Sequence, residues 1–289
     1  MNKYCTNCGN QRENTKYCAH CGHYHKNTKK RMNPLFFIVT VLFGLMLLLP
    51  NNLMDTVSPK TIDADPQTEQ HTKAENQSLH HTLEEAKESV FTVTTNDTQG
   101  SAFLYDDKGH IVTNAHVVQG ESHVGITTND GQEYNAKVIG YSNDIDVAVL
   151  SVEALEGQKP LPIETNDSTE LDDKVVAIGS PNGEQGVVSH GEMTNLHVDV
   201  MVDDQMYNNI YEMTAAIDSG SSGGPLIDQD THKVIAINTA KSIDNEEISY
   251  SIPMSQVNSY IEKWINNPMS AEQLQETYEQ NNIAEPEEW

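Results

Sequence analysis

Asp218-Ser219-Gly220-Ser221-Ser222-Gly223-Gly224-Pro225-Leu226-Ile227 sets adjacent serines between glycines, immediately before an apolar strand. Glycine lets a backbone turn tightly and bring its amide hydrogens up to a substrate carbonyl, so the pattern suits an acyl-transfer nucleophile. A plain polar loop is the competing reading of these ten residues alone. Two other segments bear on the choice. Gly109-His110-Ile111-Val112-Thr113-Asn114-Ala115-His116-Val117-Val118 is a strand that delivers a histidine at its end. Asn143-Asp144-Ile145-Asp146-Val147-Ala148-Val149-Leu150 places acidic residues directly ahead of another apolar strand. Serine, histidine and aspartate are the parts of a nucleophile, a general base and its orienting carboxylate.

The texture around these segments is β. Short runs rich in β-branched residues include Val90 to Thr95, Ser101 to Tyr105, His110 to Thr113, Val124 to Thr127, Tyr134 to Ile139 and Val147 to Val152. A second set comprises Val175 to Ile178, Gly186 to Met193, His197 to Val202, Leu226-Ile227, Val234 to Thr239 and Ile248 to Ile252. Turn sequences such as Asp106-Asp107-Lys108-Gly109 and Asn129-Asp130-Gly131 separate them. Many short strands at this spacing predict antiparallel barrels or a sandwich. Leu79, Leu83 and Ala86 mark a short helix before the first strand, and Met254 to Ile265 a helix after the last. In the latter, Val257, Tyr260, Ile261 and Trp264 share one face.

The three segments, in the order His, Asp, Ser, resemble the motifs of trypsin-like serine proteases, and among these the bacterial HtrA/Deg type. Gly100-Ser101-Ala102-Phe103, Asp130-Gly131 with Tyr134, Ala136 and Val138, Ile178-Gly179-Ser180-Pro181-Asn182-Gly183, Val234 to Thr239 and Ser251-Ile252-Pro253 are similar to further landmarks of that family. The resemblance covers residues 79 to 265, about two thirds of the chain. It implies an all-β domain of two antiparallel six-stranded β-barrels followed by a C-terminal helix. The family pattern selects His116, Asp146 and Ser222 as the catalytic triad, over Asp144 and Ser221. It also implies an oxyanion hole from the amides of Gly220 and Ser222. Ala216, six residues before the nucleophile, falls at the base of the specificity pocket, which implies small or aliphatic side chains before the scissile bond. Asp218 and Ser219 depart from the asparagine and proline usual for the family. His110, His123, His190 and His197 have no matching context and read as ordinary surface or strand residues. Only 24 residues follow Ile265, too few for a PDZ domain, so peptide-triggered regulation of that kind is not expected.

The rest of the chain has a different character. Seven of the 17 Lys and Arg precede position 32, against the single acid Glu13. The remainder therefore carries 10 basic and 42 acidic residues, a net of −32. Such a body repels phosphate backbones and argues against nucleic acid as its partner. All four cysteines lie before position 22, so the body holds together without disulfides. Residues 33–53 contain no charge, and Leu35 to Leu49 is almost wholly apolar. This is enough to span a bilayer core, for which about 20 helical residues suffice. The basic cluster Lys26 to Arg31 ahead of it predicts a cytoplasmic N-terminus and an extracytoplasmic body. Residues 54–78 read as a flexible linker, and 266–289 as a polar, acidic tail.

Cys5-x-x-Cys8-Gly9 and Cys18-x-x-Cys21-Gly22 form paired knuckles within residues 1–25. Four thiolates complete a tetrahedral zinc shell, and disulfides are disfavoured on the reducing side of the membrane. A structural zinc ribbon is expected, with His20, His23 and His25 as weaker ligand candidates and no cofactor for catalysis. Taken together, the sequence predicts a cell-membrane, single-pass serine endopeptidase acting on envelope or misfolded proteins. The alternative is a catalytically silent protease-fold peptide-binding or transmembrane signalling protein.

Overall fold

The computed structural model describes residues 81–282, apart from Gln119, Asp204 and Glu246. The expected zinc ribbon, transmembrane segment and linker lie outside the described residues. Among the described residues, no helix is long and apolar enough to cross a membrane.

After a helix at 81–88 (α1), twelve strands follow in two groups of six. The first group is β1 (Val90–Thr94), β2 (Gln99–Leu104), β3 (His110–Thr113), β4 (His123–Thr127), β5 (Glu133–Ser142) and β6 (Val147–Ser151), with a short helix α2 (Ala115–Val118) after β3. It closes into a barrel in the order β1-β2-β3-β6-β5-β4. The second group is β7 (Lys174–Gly179), β8 (Val187–Val202), β9 (Gln205–Met213), β10 (Pro225–Asp228), β11 (Val234–Lys241) and β12 (Ser249–Pro253). It closes in the order β10-β11-β12-β9-β8-β7. Helices α3 (Met254–Asn266) and α4 (Ala271–Asn282) follow.

Several strands are apolar along their whole length because both of their faces are buried. Side chains alternate across a strand with period two. In β6, Ala148 and Leu150 fill the first barrel, whereas Val147 and Val149 enter a second cluster outside it. In β7, Val175 and Ala177 fill the second barrel, whereas Val176 and Ile178 join that same outside cluster. The shared cluster also takes Met254, Val257, Ile261 and Trp264 from α3. A continuous apolar layer therefore joins the two barrels and the helix, and its closure fixes the cleft where the strand ends meet.

Two features differ from the sequence expectation. The runs Gly186 to Met193 and His197 to Val202 are one long strand, β8, whose register against β9 shifts three times. β9 itself is not foreseen: Asn209 adopts φ of +55° and breaks the two-residue alternation. The polar segment after Ile265 contains α4, which docks on the first barrel through buried Leu274, while the Tyr141 hydroxyl donates to the Leu274 carbonyl at 2.8 Å.

Candidate active site

β3 ends at Thr113, and α2 turns His116 into the cleft, leaving 46% of its side chain open. Asp146 is buried at 2% exposure in the turn before β6, with φ of +50°, a left-handed conformation that short polar residues tolerate best among non-glycines. The two meet as the sequence predicts. The His116 ring Nδ1 lies 3.0 Å from Asp146 Oδ1 and 2.9 Å from Oδ2, and the His116 amide donates to Oδ1 at 3.0 Å. Nδ1 must carry the proton here, because an ionised carboxylate only accepts. That leaves Nε2 as the basic nitrogen. Asn114 Nδ2 donates to the Asp146 carbonyl at 2.8 Å and ties the turn to the end of β3.

Burial by itself would disfavour both charges. For His116, burial lowers the pKa, but the Asp146 charge and hydrogen bond override it and leave the imidazole above its ordinary value. For Asp146, burial raises the pKa, and the His116 partner together with the donors around the carboxylate brings it below the usual range. The carboxylate is thus ionised at neutral pH and ready to stabilise an imidazolium.

Ser222 comes from the second barrel and lines the same cleft of about 520 Å³ as His116 and Asp146. Its hydroxyl donates to the Thr239 carbonyl at 2.9 Å rather than to the His116 ring. A step between staggered rotamers about χ1 releases it, and such catalytic contacts are often completed only in the substrate complex. Gly220 has φ of +98°, and a Cβ there would lie 2.7 Å from the Ser180 carbonyl oxygen, so only glycine fits. Among the described residues, no backbone acceptor pairs with the Gly220 or Ser222 amide. Free amides at these two positions are what an oxyanion hole requires.

Ser101 on β2 pins this loop across the barrel junction. Its amide donates to the Ser222 carbonyl at 2.7 Å, its hydroxyl donates to the Gly220 carbonyl at 2.6 Å, and the Ser180 amide donates to that hydroxyl at 2.8 Å. Sequence reading identified Ser101 only as part of a landmark. It also missed Thr239, whose hydroxyl donates to Asp146 Oδ2 at 2.8 Å, and Tyr207, which does the same at 3.0 Å. Thr239 closes a run already noted in the sequence; nothing local marks Tyr207.

Ala216 lies outside the triad cleft. It borders a neighbouring cavity of about 240 Å³ with Ile178, Val188 and Ile217, and Ile217 and Asp218 line both spaces. Asp218 is not idle at its unusual position: Lys241 Nζ approaches its carboxylate at 3.2 Å. Among the described residues, no group of His, Cys, Asp and Glu is arranged to hold a metal ion.

Residues 100–237 match the family model of the trypsin-like peptidase domain. These residues are similar to a trypsin-like peptidase domain. The chain's relatives include proteins named as Do-like and DegP-like serine proteases. Serine protease Do-like HtrB of Bacillus subtilis is 30% identical over 196 residues, covering 62% of this chain and 43% of that protein. The chloroplastic Protease Do-like 1 of Arabidopsis thaliana is 32% identical over 172 residues, covering 57% and 39%. The chain therefore spans less than half the length of these relatives. The crystal structure of a Yersinia pestis serine endoprotease superposes with a TM-score of 0.55 at 27% identity, over 65% of this chain and 67% of that one. The HtrA-type protease AlgW with tripeptide superposes with a TM-score of 0.60 at 25% identity, over 65% and 64%.

Proposed function

We propose that this chain is a membrane-anchored serine endopeptidase that cleaves unfolded or exposed envelope proteins through an acyl-enzyme. The observation that carries the reading is the His116–Asp146 pair facing Ser222 in one cleft between two barrels. His116 Nε2 takes the Ser222 proton as the serine oxygen attacks the scissile carbonyl. The Gly220 and Ser222 amides receive the oxyanion, while Asp146 holds the imidazolium. Collapse of the tetrahedral intermediate breaks the C–N bond, and the leaving amine takes the proton from Nε2. Water then enters, gives its proton to the same nitrogen and releases the acid, restoring the serine.

The small side chains at Ala216 and the apolar walls of its cavity support a preference for Val or Ala before the scissile bond. An extracytoplasmic site is supported by the basic cluster before the uncharged segment 33–53, and by relatives such as the DegP-like protein of Rickettsia conorii, whose name describes a periplasmic serine endoprotease. Cys5, Cys8, Cys18 and Cys21 hold a structural zinc on the cytoplasmic side and take no part in the chemistry. The test uses the full chain, purified from membranes in mild detergent. It should pellet with the membrane fraction, carry about one equivalent of zinc and cleave unfolded casein. Ser222→Ala should retain the fold and lose nearly all cleavage. Casein cleavage that persists in Ser222→Ala refutes the peptidase assignment. A metal-free preparation, or one that stays in the soluble fraction, refutes the ribbon or the anchor respectively.

A further inference from the structure

The Asp146 carboxylate is held by more than its histidine. Oδ1 accepts from the His116 ring and amide; Oδ2 accepts from the ring, from Thr239 and from Tyr207. Tyr207 is the third residue of β9, just past the hairpin turn, and is 8% exposed. The same hairpin is tied to the aspartate's own turn, since Gln205 Nε2 donates to the Asn143 carbonyl at 3.0 Å.

We propose that Tyr207 is a positioning residue for the general base, a role that rests on the peptidase reading: its hydroxyl, delivered by the β8–β9 hairpin, fixes the Asp146 carboxylate and through it the orientation and basicity of His116.

The contact has a definite direction. An ionised carboxylate has no proton to give, so the phenol must be the donor. Burial, followed by the adjacent Asp146 charge, raises the Tyr207 pKa, so the phenol remains a donor throughout the pH range of catalysis. A hydrogen bond to a carboxylate spreads its charge and weakens its pull on the imidazole proton. Tyr207 thus moderates His116, keeping the base from being trapped as a cation, while it locks the carboxylate plane against the ring. Other charges face this group from each neighbouring element. Asp203 lies on the hairpin, Asp218 on the nucleophile loop and Lys241 on β11, all lining the same cleft, the last two paired with each other. None of these donates to Asp146. A residue that merely filled space here would act through its ring, and Phe would replace it without consequence.

The test is therefore Tyr207→Phe in the full chain, labelled at histidine Cε1 and followed by NMR, with the His116 signal identified by its loss in His116→Ala. With Tyr207→Phe folded to the wild-type circular dichroism spectrum, His116 should titrate at higher pH than in wild type. Casein cleavage should show kcat reduced about tenfold, the scale of one hydrogen bond to a charged group, with KM nearly unchanged and the acid limb of the profile moved upward. An unchanged His116 titration overturns the proposal whatever happens to proteolysis. A shifted titration in a chain whose wild type never cleaves casein instead overturns the peptidase reading and leaves the Tyr207–Asp146 coupling standing.

Discussion

At the scale of single residues, the site opposes burial with specific donors. Asp146 is almost wholly removed from water yet stays ionised because five hydrogen-bond contacts converge on its two oxygens. His116 feels the result as a pKa above the ordinary 6.5. A base works only when neutral, so the sign is fixed: kcat/KM should fall as pH drops through a value above 6.5, and recover above it. A pH profile of casein cleavage checks this, and an acid limb lying below 6.5 would contradict the charge pairing described here. Replacing Asp146 by Asn should cost activity through the wrong imidazole tautomer while leaving the backbone in place, by about 10⁴ in kcat.

At the scale of elements, α3 is the part that holds the two barrels in register. Its buried residues Met254, Val257, Ile261 and Trp264 recur at helical spacing and pack into the layer shared by both barrels. Trp264 lies so close over β5 that a Cβ on Gly140 would come within 2.1 Å of its ring. Gly140→Ala must therefore displace the indole, and overpacking of this kind costs about 1–3 kcal/mol. A thermal melt should show a midpoint several degrees lower, at about 2–4 °C per kcal/mol for a domain of this size. An unchanged midpoint would show that the helix does not bear on that strand. Elements also show where the sequence was readable. Ten of the twelve strands were visible as apolar or β-branched runs because most of them are buried on both faces. β8 was read as two pieces and β9 was missed, because bulges and the left-handed Asn209 interrupt the alternation. The segments that bring His116, Asp146 and Ser222 to one cleft were legible because glycine spacing and an aspartate before an apolar run are local signals. Tyr207, Thr239 and Ser101 were not, since each is a polar residue whose role arises only when a distant strand is brought beside it.

At the scale of the whole molecule, neither barrel alone lines the cleft. The first supplies His116 and Asp146, and the second supplies Ser222 and its glycine loop, Thr239 and Tyr207. Ser101 and the shared apolar layer tie the two halves together beside the cleft. The full chain carries a formal net charge of −26, which disfavours polyanions as partners. The central claim is that this junction makes one serine nucleophilic. Its most direct test is to label the full chain with a fluorophosphonate and locate the adduct by mass spectrometry. The account predicts a single modification on Ser222, absent from both Ser222→Ala and His116→Ala and retained in Ser221→Ala. A folded chain that takes no label, or takes it on Ser221 while Ser222 stays free, would contradict it.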